Sequence, residues 1–393
     1  MSAVERITAD MERLSRIEGR IAGSDGERAM LQEVRERLPA SVRRGPGPEP
    51  VASIAQGAGL PPPDATTAKI EGLVAHTKPA LAIGLHAATM LAGGLLGIWR
   101  PDVGLFVCSV VTASLLAHGA GRTNLWKVLM PKDASYNLVV RTGHPLGTRI
   151  RGTLVLSAPL DVPRWRAPSW LRPARAARGL LFAAIAVSAM LLHRWSAEPW
   201  GPLTWDVYGG LLGVFALGVV ISSVTGRPGS GRDEAAGPAV LLEVMRRFEH
   251  TALPDLDVWY VFTGAGRAGH GGMEAFLDLH RRSLVEPVLV VALSDPARPP
   301  LSATVTEGAL FPLPQKPAGP ALVERLGWAG VAVPIVDHVG TTDAWAALVR
   351  GIRAVGLVGG RGRPEVAQAA RAADVVERLA RLWEGDLHRI EAP

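Results

Sequence analysis

Only one cysteine, Cys108, occurs in the 393 residues, so no intramolecular disulfide framework holds this chain. Charge is also sparse. Asp, Glu, Lys and Arg make up 20% of the residues against 48% hydrophobic ones. Mean hydropathy is +0.19, and a wholly soluble chain seldom averages above zero, so part of this length is expected in a bilayer. That much apolar surface excludes disorder as the main state. Met1 to Glu18 is charged throughout and lacks the basic start, apolar core and small-residue cleavage site of a secretory signal. No lipidation motif, internal repeat, Walker motif or G-x-S-x-G is present. Gly229-Ser230-Gly231 reads as linker. No basic stripe interleaves with aromatics, so the net charge of +6 reflects an arginine-rich composition and no nucleic-acid partner is expected.

Long apolar runs are what the chain does have. Pro79 to Trp99 and Val103 to Gly121 carry no formal charge and flank the turn Arg100-Pro101-Asp102. Gly179 to Trp195, charged only at its end, and Val207 to Gly226 form a second pair. Each run is long enough, at about 1.5 Å per residue, to cross a hydrocarbon core. They predict four transmembrane helices inserted as two hairpins, with Gly93, Gly94 and Gly97 allowing close helix approach. Trp99, Trp126, Trp170, Trp195, Trp200 and Trp205 lie near the span ends, the pattern of an aromatic belt. His86 and His118 inside the spans read as interhelical hydrogen-bonders, and Cys108 as packing. Lys78, Arg122, Lys127, Lys132, Arg172, Arg175, Arg178, Arg227 and Arg232 fall on one side of the membrane, Arg100 and Arg194 on the other. The positive-inside rule then places the polar part in the cytosol, at a cell (inner) membrane, with the lipid bilayer as the first partner.

The polar remainder reads as one α/β domain interrupted by the hairpins: 1–78, 122–178 and 227–393 around the inserts 79–121 and 179–226. Such a length fits two to three domains' worth of chain. Helices are predicted at 27–38 after Ser24 and Asp25, at 238–248, 272–280, 320–328, 343–350 and 364–384. Strands are predicted at 135–142, 151–156, 257–262, 287–293, 331–336 and 353–358, with 43–66 as loop. PVLVVAL at 287–293 has no polar alternation, as expected of a strand buried on both faces. The alternation predicts a twisted, mostly parallel sheet with helices on both faces.

Six segments, in order, resemble metallopeptidase family 28, the di-zinc aminopeptidases. They are RIAGSDGERAMLQEVRERL at 20–38, YNLVV at 136–140, GTLVLSAPLDVP at 152–163, GRDEAAGPAVLLEVMRRF at 231–248, VWYVFTGAGRAGHGGMEAFLDLH at 258–280 and TTDAWAALVRGIRAVGLVG at 341–359. The resemblance implies a zinc-exopeptidase-like fold. In such enzymes two zinc ions lower the pKa of a bound water and a glutamate acts as general base. The resemblance puts the first ligand histidine at Pro159, the general base at Gly266, the adjacent ligand glutamate at Arg267 and the last ligand histidine at Ala344. Asp161, Asp233, Asp343 and Asp295 remain, the last with Ser294 as an alternative register. A carboxylate set without histidines, facing an arginine, is a poor zinc site. No catalytic residue and no cofactor are therefore expected, and a non-catalytic role toward a protein or peptide partner is. An Asp233–Arg267 salt bridge is expected in place of the metals.

Two other readings stay open. His270 and His338 could rebuild a zinc centre and with it a membrane-anchored aminopeptidase. Gly264, Gly266 and Gly269 form a G-x-G-x-x-G between a strand and a helix, with Asp295 beyond the next strand, the layout of a dinucleotide site for NAD or NADP.

Overall fold

The computed structural model describes residues 1–44, 66–120, 125–130, 132–144, 148–162, 173–196, 202–225, 233–308, 310–314, 318–328, 330–338 and 340–390. The charged N-terminus, given no element above, is helix α1 (Ala3–Ser15), started by a Ser2–Glu5 capping box and burying Ile7 and Leu14. Helix α2 (Asp25–Glu36) follows, with Ser24 as its cap. Strands β1 (Arg43–Arg44) and β2 (Thr67–Ala75) come next; β2 lies outside the predicted strands, and residues 45–65 of the predicted loop lie outside the described ones. Helices α3 (Pro79–Trp99), α4 (Pro101–Gly119) and the short α5 (Leu125–Leu129) lead to β3 (Asp133–Arg141) and β4 (Gly152–Pro159). Helices α6 (Pro173–Ser196) and α7 (Pro202–Thr225) precede a 3-10 turn, Asp233–Ala235, and α8 (Ala236–His250). Then come β5 (Leu256–Thr263), α9 (Gly271–His280), β6 (Val288–Ser294), β7 (Leu301–Glu307), β8 (Leu313–Pro314) and α10 (Ala318–Trp328). The chain closes with β9 (Ile335–His338), α11 (Asp343–Leu348), β10 (Arg353–Gly359) and α12 (Val366–Ile390).

The strands form one sheet in the order β1-β2-β3-β5-β4-β6-β10-β7-β8, with β9 on β7. Strands β5, β4, β6 and β10 are parallel, but β3 runs antiparallel to β2 and β5, and β7 antiparallel to β10 and β8. The sheet is thus mixed, with a parallel centre as expected, further parallel pairs β1–β2 and β7–β9, and antiparallel pairings at β3 and β7. The sequence reading erred by missing β2 and β7: mixed-polarity strands such as TAKIEGLVA and LSATVTE lack the long apolar run of a central strand. In β6 every residue is buried, as expected. Alternate side chains feed two cores. Leu289, Val291 and Leu293 meet α1, α2, α8, α10 and α12, while Val288, Val290 and Ala292 meet α9 and α11.

Helices α3, α4, α6 and the 208–225 part of α7 are each long and apolar enough to cross a membrane. Their outer faces expose Phe106, Phe182, Leu211 and Val214, which water would penalise and lipid would not. A Cβ on Gly104 would sit 2.5 Å from Gly97 Cα and 2.6 Å from the Gly93 carbonyl oxygen, so these glycines set the α3–α4 spacing. Gly94 has no such neighbour and lines a groove between helices instead. His86 bridges α3 to α4, with Nε2 2.8 Å from Ser114 Oγ. The second pair is not a tightly packed hairpin: α6 packs mainly on α4, and α7 mainly on α3. Trp99 and Trp195 lie exposed at one end of the bundle. Arg122, Trp170, Arg172, Trp200, Arg227, Arg232 and the Gly229–Gly231 linker, and the side chain of Trp205, lie outside the described residues.

Candidate functional site

The carboxyl ends of parallel strands are where open α/β sheets bind ligands. Most of the residues singled out above converge there. Pro159 ends β4, and Asp161 follows it, fully buried. After β5 the chain turns sharply through Gly264 to His270, with Ala265 and His270 at positive φ. A Cβ on Gly266 would lie 2.6 Å from Thr263 Oγ1 and 2.9 Å from Pro159 Cβ, so the position at which the resemblance puts a glutamate is closed by neighbouring atoms.

Arg267 occupies the centre. Its Nε donates to Glu234 Oε2 at 3.1 Å, one terminal nitrogen to Ser294 Oγ at 2.8 Å and the other to Asp295 Oδ1 at 2.7 Å. Ser294 and Asp295, the two alternative registers, thus both contact Arg267, one neutral and one ionic. Glu234, which stands where the resemblance puts an asparagine, is the arginine's partner on the 233–235 turn; the Asp233 side chain lies outside the described residues. Burial alone would favour losing the Arg267 proton, but Asp295, Glu234, Asp161 and Asp343 outweigh it and hold the pKa above its ordinary value. Burial pushes the Glu234 and Asp161 carboxyls upward, with Arg267 opposing.

The glycine turn carries a second lesson. Three of its N–H groups are already engaged by the protein's own carboxylates and a fourth by an amide. Arg267 and Ala268 donate to the two Asp161 oxygens at 2.9 and 3.0 Å, and Ala265 donates to Glu27 Oε1 at 2.7 Å. Gly264 donates to Asn137 Oδ1 at 3.0 Å. A pyrophosphate would have to displace these acceptors, so the turn does not offer the free N–H cradle a dinucleotide needs. Glu27 is also bonded to Gly23 and Ser135. It went unnoticed because a glutamate in the first helical turn reads as ordinary capping.

Asp343, in the first turn of α11, accepts from Thr263 at 2.7 Å. Ala344 beside it is fully buried and has no donor side chain. His270 lies at the rim: Nδ1 is 3.4 Å from Asp343 Oδ1 and Nε2 is 2.6 Å from Thr341 Oγ1. Hydroxyl, imidazole and carboxylate in a row suit nucleophilic chemistry only if an oxyanion finds donors nearby. The N–H groups of Gly340, Thr342 and Ala344 are bonded to His338, Glu307 and Thr342. His338 is near enough that burial, then the Arg267 charge, push its pKa down to about 4. Glu307, buried and bonded to Thr304 and Thr342, completes this side.

A catalytic zinc needs about three nitrogen, sulfur or carboxylate donors and keeps one position open. Among the described residues no group of three or more His, Cys, Asp or Glu side chains is arranged to hold a metal ion. With proline, glycine, arginine and alanine at the four positions the resemblance marks, the donors among the described residues do not fit two zinc ions.

No family model and no curated protein matches the chain. Solved structures do resemble it loosely. A glutaminyl cyclase from an Acidobacteriales bacterium is 10% identical with a TM-score of 0.48, over 97% of this chain and 95% of the other. A leucine aminopeptidase precursor from Bacteroides thetaiotaomicron is 10% identical with a TM-score of 0.46, over 96% of each. A zinc aminopeptidase from Bacillus subtilis is 10% identical with a TM-score of 0.44, over 97% of this chain and 95% of the other.

Proposed function

We propose that this chain is a multi-pass membrane protein whose α/β domain keeps a zinc-exopeptidase-like architecture and serves as a non-catalytic binding or scaffold module. The observation that carries the reading is Arg267. Its guanidinium fills the cleft among Glu234, Ser294 and Asp295, with Asp161 and Asp343 in electrostatic reach. Even with Arg20 facing Glu234 and Asp161, these four acids exceed the cations, an excess that a site built for larger positive charge would leave behind. The closed space at Gly266 and the engaged N–H groups of its turn support the same reading over a rebuilt peptidase or a dinucleotide site.

The test is zinc content of the purified full-length chain together with hydrolysis of aminoacyl-p-nitroanilides. The expected result is zinc well below one ion per chain and no turnover. Two bound zinc ions with turnover overturn the proposal. The domain is placed on the cytosolic side of a cell membrane. Lys78, Arg175 and Arg178 lie at that end of the spans, while at the other end Arg100 is bonded to Asp102 and Arg194 to the Ile98 carbonyl. Protease digestion of inside-out vesicles, but not of right-side-out ones, is the expected outcome.

A further inference from the structure

All four apolar helices join the domain at one edge of the sheet. β2 ends at Ala75 and α3 starts at Pro79; α4 ends at Gly119 and β3 starts at Asp133. β4 ends at Pro159 before α6, and α7 precedes the turn that holds Glu234. Because β3 is antiparallel to β2 and β5, and β4 is parallel to β5, these ends lie on the edge that bears Arg267. The loop after β7 ties the same edge to the helices. Arg178 donates to the Gly308 carbonyl at 3.1 Å, and Leu310 packs into the core of the bundle.

An apolar rim surrounds this junction. In α5, Leu125, Val128 and Leu129 are 43%, 68% and 66% exposed, and Phe311 beside Gly119 is 40% exposed. The Leu125 N–H donates to Ser114 Oγ at 3.0 Å, which anchors α5 to α4. The charge at the rim is mostly positive. Lys78 precedes α3, and Lys127 and Lys132 lie close enough to His76 that, after burial, their charges push its pKa down. The acid at the rim, Asp133, is bonded to Thr77. In water this would be an exposed apolar patch. At a bilayer surface, apolar side chains enter the interface while lysines meet anionic headgroups.

We propose that the sheet edge carrying Arg267 is held against the bilayer surface, with Leu125, Val128, Leu129 and Phe311 in the interfacial layer and Lys78, Lys127 and Lys132 on anionic lipid phosphates. A ligand of the Arg267 cleft would then arrive along the membrane plane. The proposal rests on reading the four helices as spans, and its test separates the two. Nitroxides are placed in a Cys108→Ala background at Leu129→Cys, at Val128→Cys as a second site, at Val214→Cys on the outer face of α7 and at Thr251→Cys beyond α8. The full chain is reconstituted in phosphatidylglycerol-rich vesicles. Collision with oxygen and with a water-soluble nickel chelate is read by electron paramagnetic resonance.

The expected order is 214 deepest, 128 and 129 shallow but shielded from nickel several-fold better than 251. Replacing phosphatidylglycerol by phosphatidylcholine is expected to raise nickel access at 128 and 129. If 214 is deep while 128 and 129 match 251, the surface contact is refuted and the spans stand. If 214 is itself aqueous, the spanning reading fails and takes this one with it. Shielding that ignores lipid charge overturns the assignment to anionic lipid.

Discussion

Two buried ion networks lie in the α/β domain with opposite signs at their centres. Between α1, α2 and α8 the centres are acids. Glu243 accepts from Arg6 at 2.7 and 2.8 Å and from Arg247 at 3.2 Å, and Asp10 accepts from Arg37 and Arg246 at 2.7 Å each. At the strand ends the centre is the Arg267 cation, ringed by acids. Cations outnumber the central acids in the first network, so Glu243, although burial would raise it, is held below its usual pKa by Arg6 and Arg247. In the second, burial first, with Asp295 and Asp161 adding to it, raises Glu234 against the pull of Arg267 and Arg20. The first network clamps helices and works as structure. The second neutralises a cleft only in part, through Arg267 at its centre and Arg20 facing Glu234 and Asp161, which leaves it the more sensitive to loss of Arg267.

Arg267→Ala is the strongest way to break the comparison. It strips the counter-charge from Glu234 and Asp295, whose side chains are 10% and 26% exposed. A loss of about 3–5 kcal/mol is expected, as when one member of a buried pair is removed. Urea unfolding of the full chain in detergent checks it. An additional Glu234→Gln should restore part of the loss, because the orphaned charge goes with it.

The pH dependence of two glutamine variants sharpens the contrast. Glu243→Gln should cost about 1.5–3 kcal/mol near neutrality, the range for hydrogen bonds to charged groups. Glu243 has a lowered folded pKa, so its contribution is present above the unfolded value of about 4.3 and disappears as pH falls through the folded pKa. The gap between native protein and Glu243→Gln should therefore close on acidification from pH 5 to pH 3. Glu234 has a raised folded pKa, so its contribution is full below the unfolded value and fades as pH rises. The gap to Glu234→Gln should shrink, or reverse, from about pH 5 upward. Melting curves of the three proteins across pH 3–8 read both signs, and parallel curves would remove the distinction between the networks.

These networks also mark how far the sequence could be read. The four apolar helices, the α2 cap at Ser24 and the buried run of β6 were legible because periodicity and apolar length are local signals. Strand β2 was not, because its burial comes from pairing with β3, more than fifty residues further on across two apolar helices. At the cleft, motif order picked out Pro159, Asp161, Gly266, Arg267, Asp295 and Asp343, and Glu234 entered only as a replaced asparagine. What motif order does not supply is which acid meets Arg267, or that Asp161 and Glu27 fill the N–H groups of the glycine turn. Those contacts join residues up to 238 positions apart, and only the folded sheet brings them together. A buried arginine in a strand-to-helix turn was the one signal that acids must gather around it.

Gly266→Ala is the mildest test and the one aimed at the cleft itself. The added Cβ would meet Thr263 Oγ1 at 2.6 Å and Pro159 Cβ at 2.9 Å, with Asp161 Oδ1 at 3.4 Å. Thr263 is held by Asp343, and Pro159 is the buried end of β4, so neither yields freely. Overpacking of this kind costs about 1–3 kcal/mol. A glutamate placed at 266 would meet the same wall. Unfolding of Gly266→Ala within a few tenths of a kcal/mol of the native chain would mean that the turn has room. The closed position at 266 would then no longer separate this cleft from a working one, leaving Arg267 alone to carry that distinction.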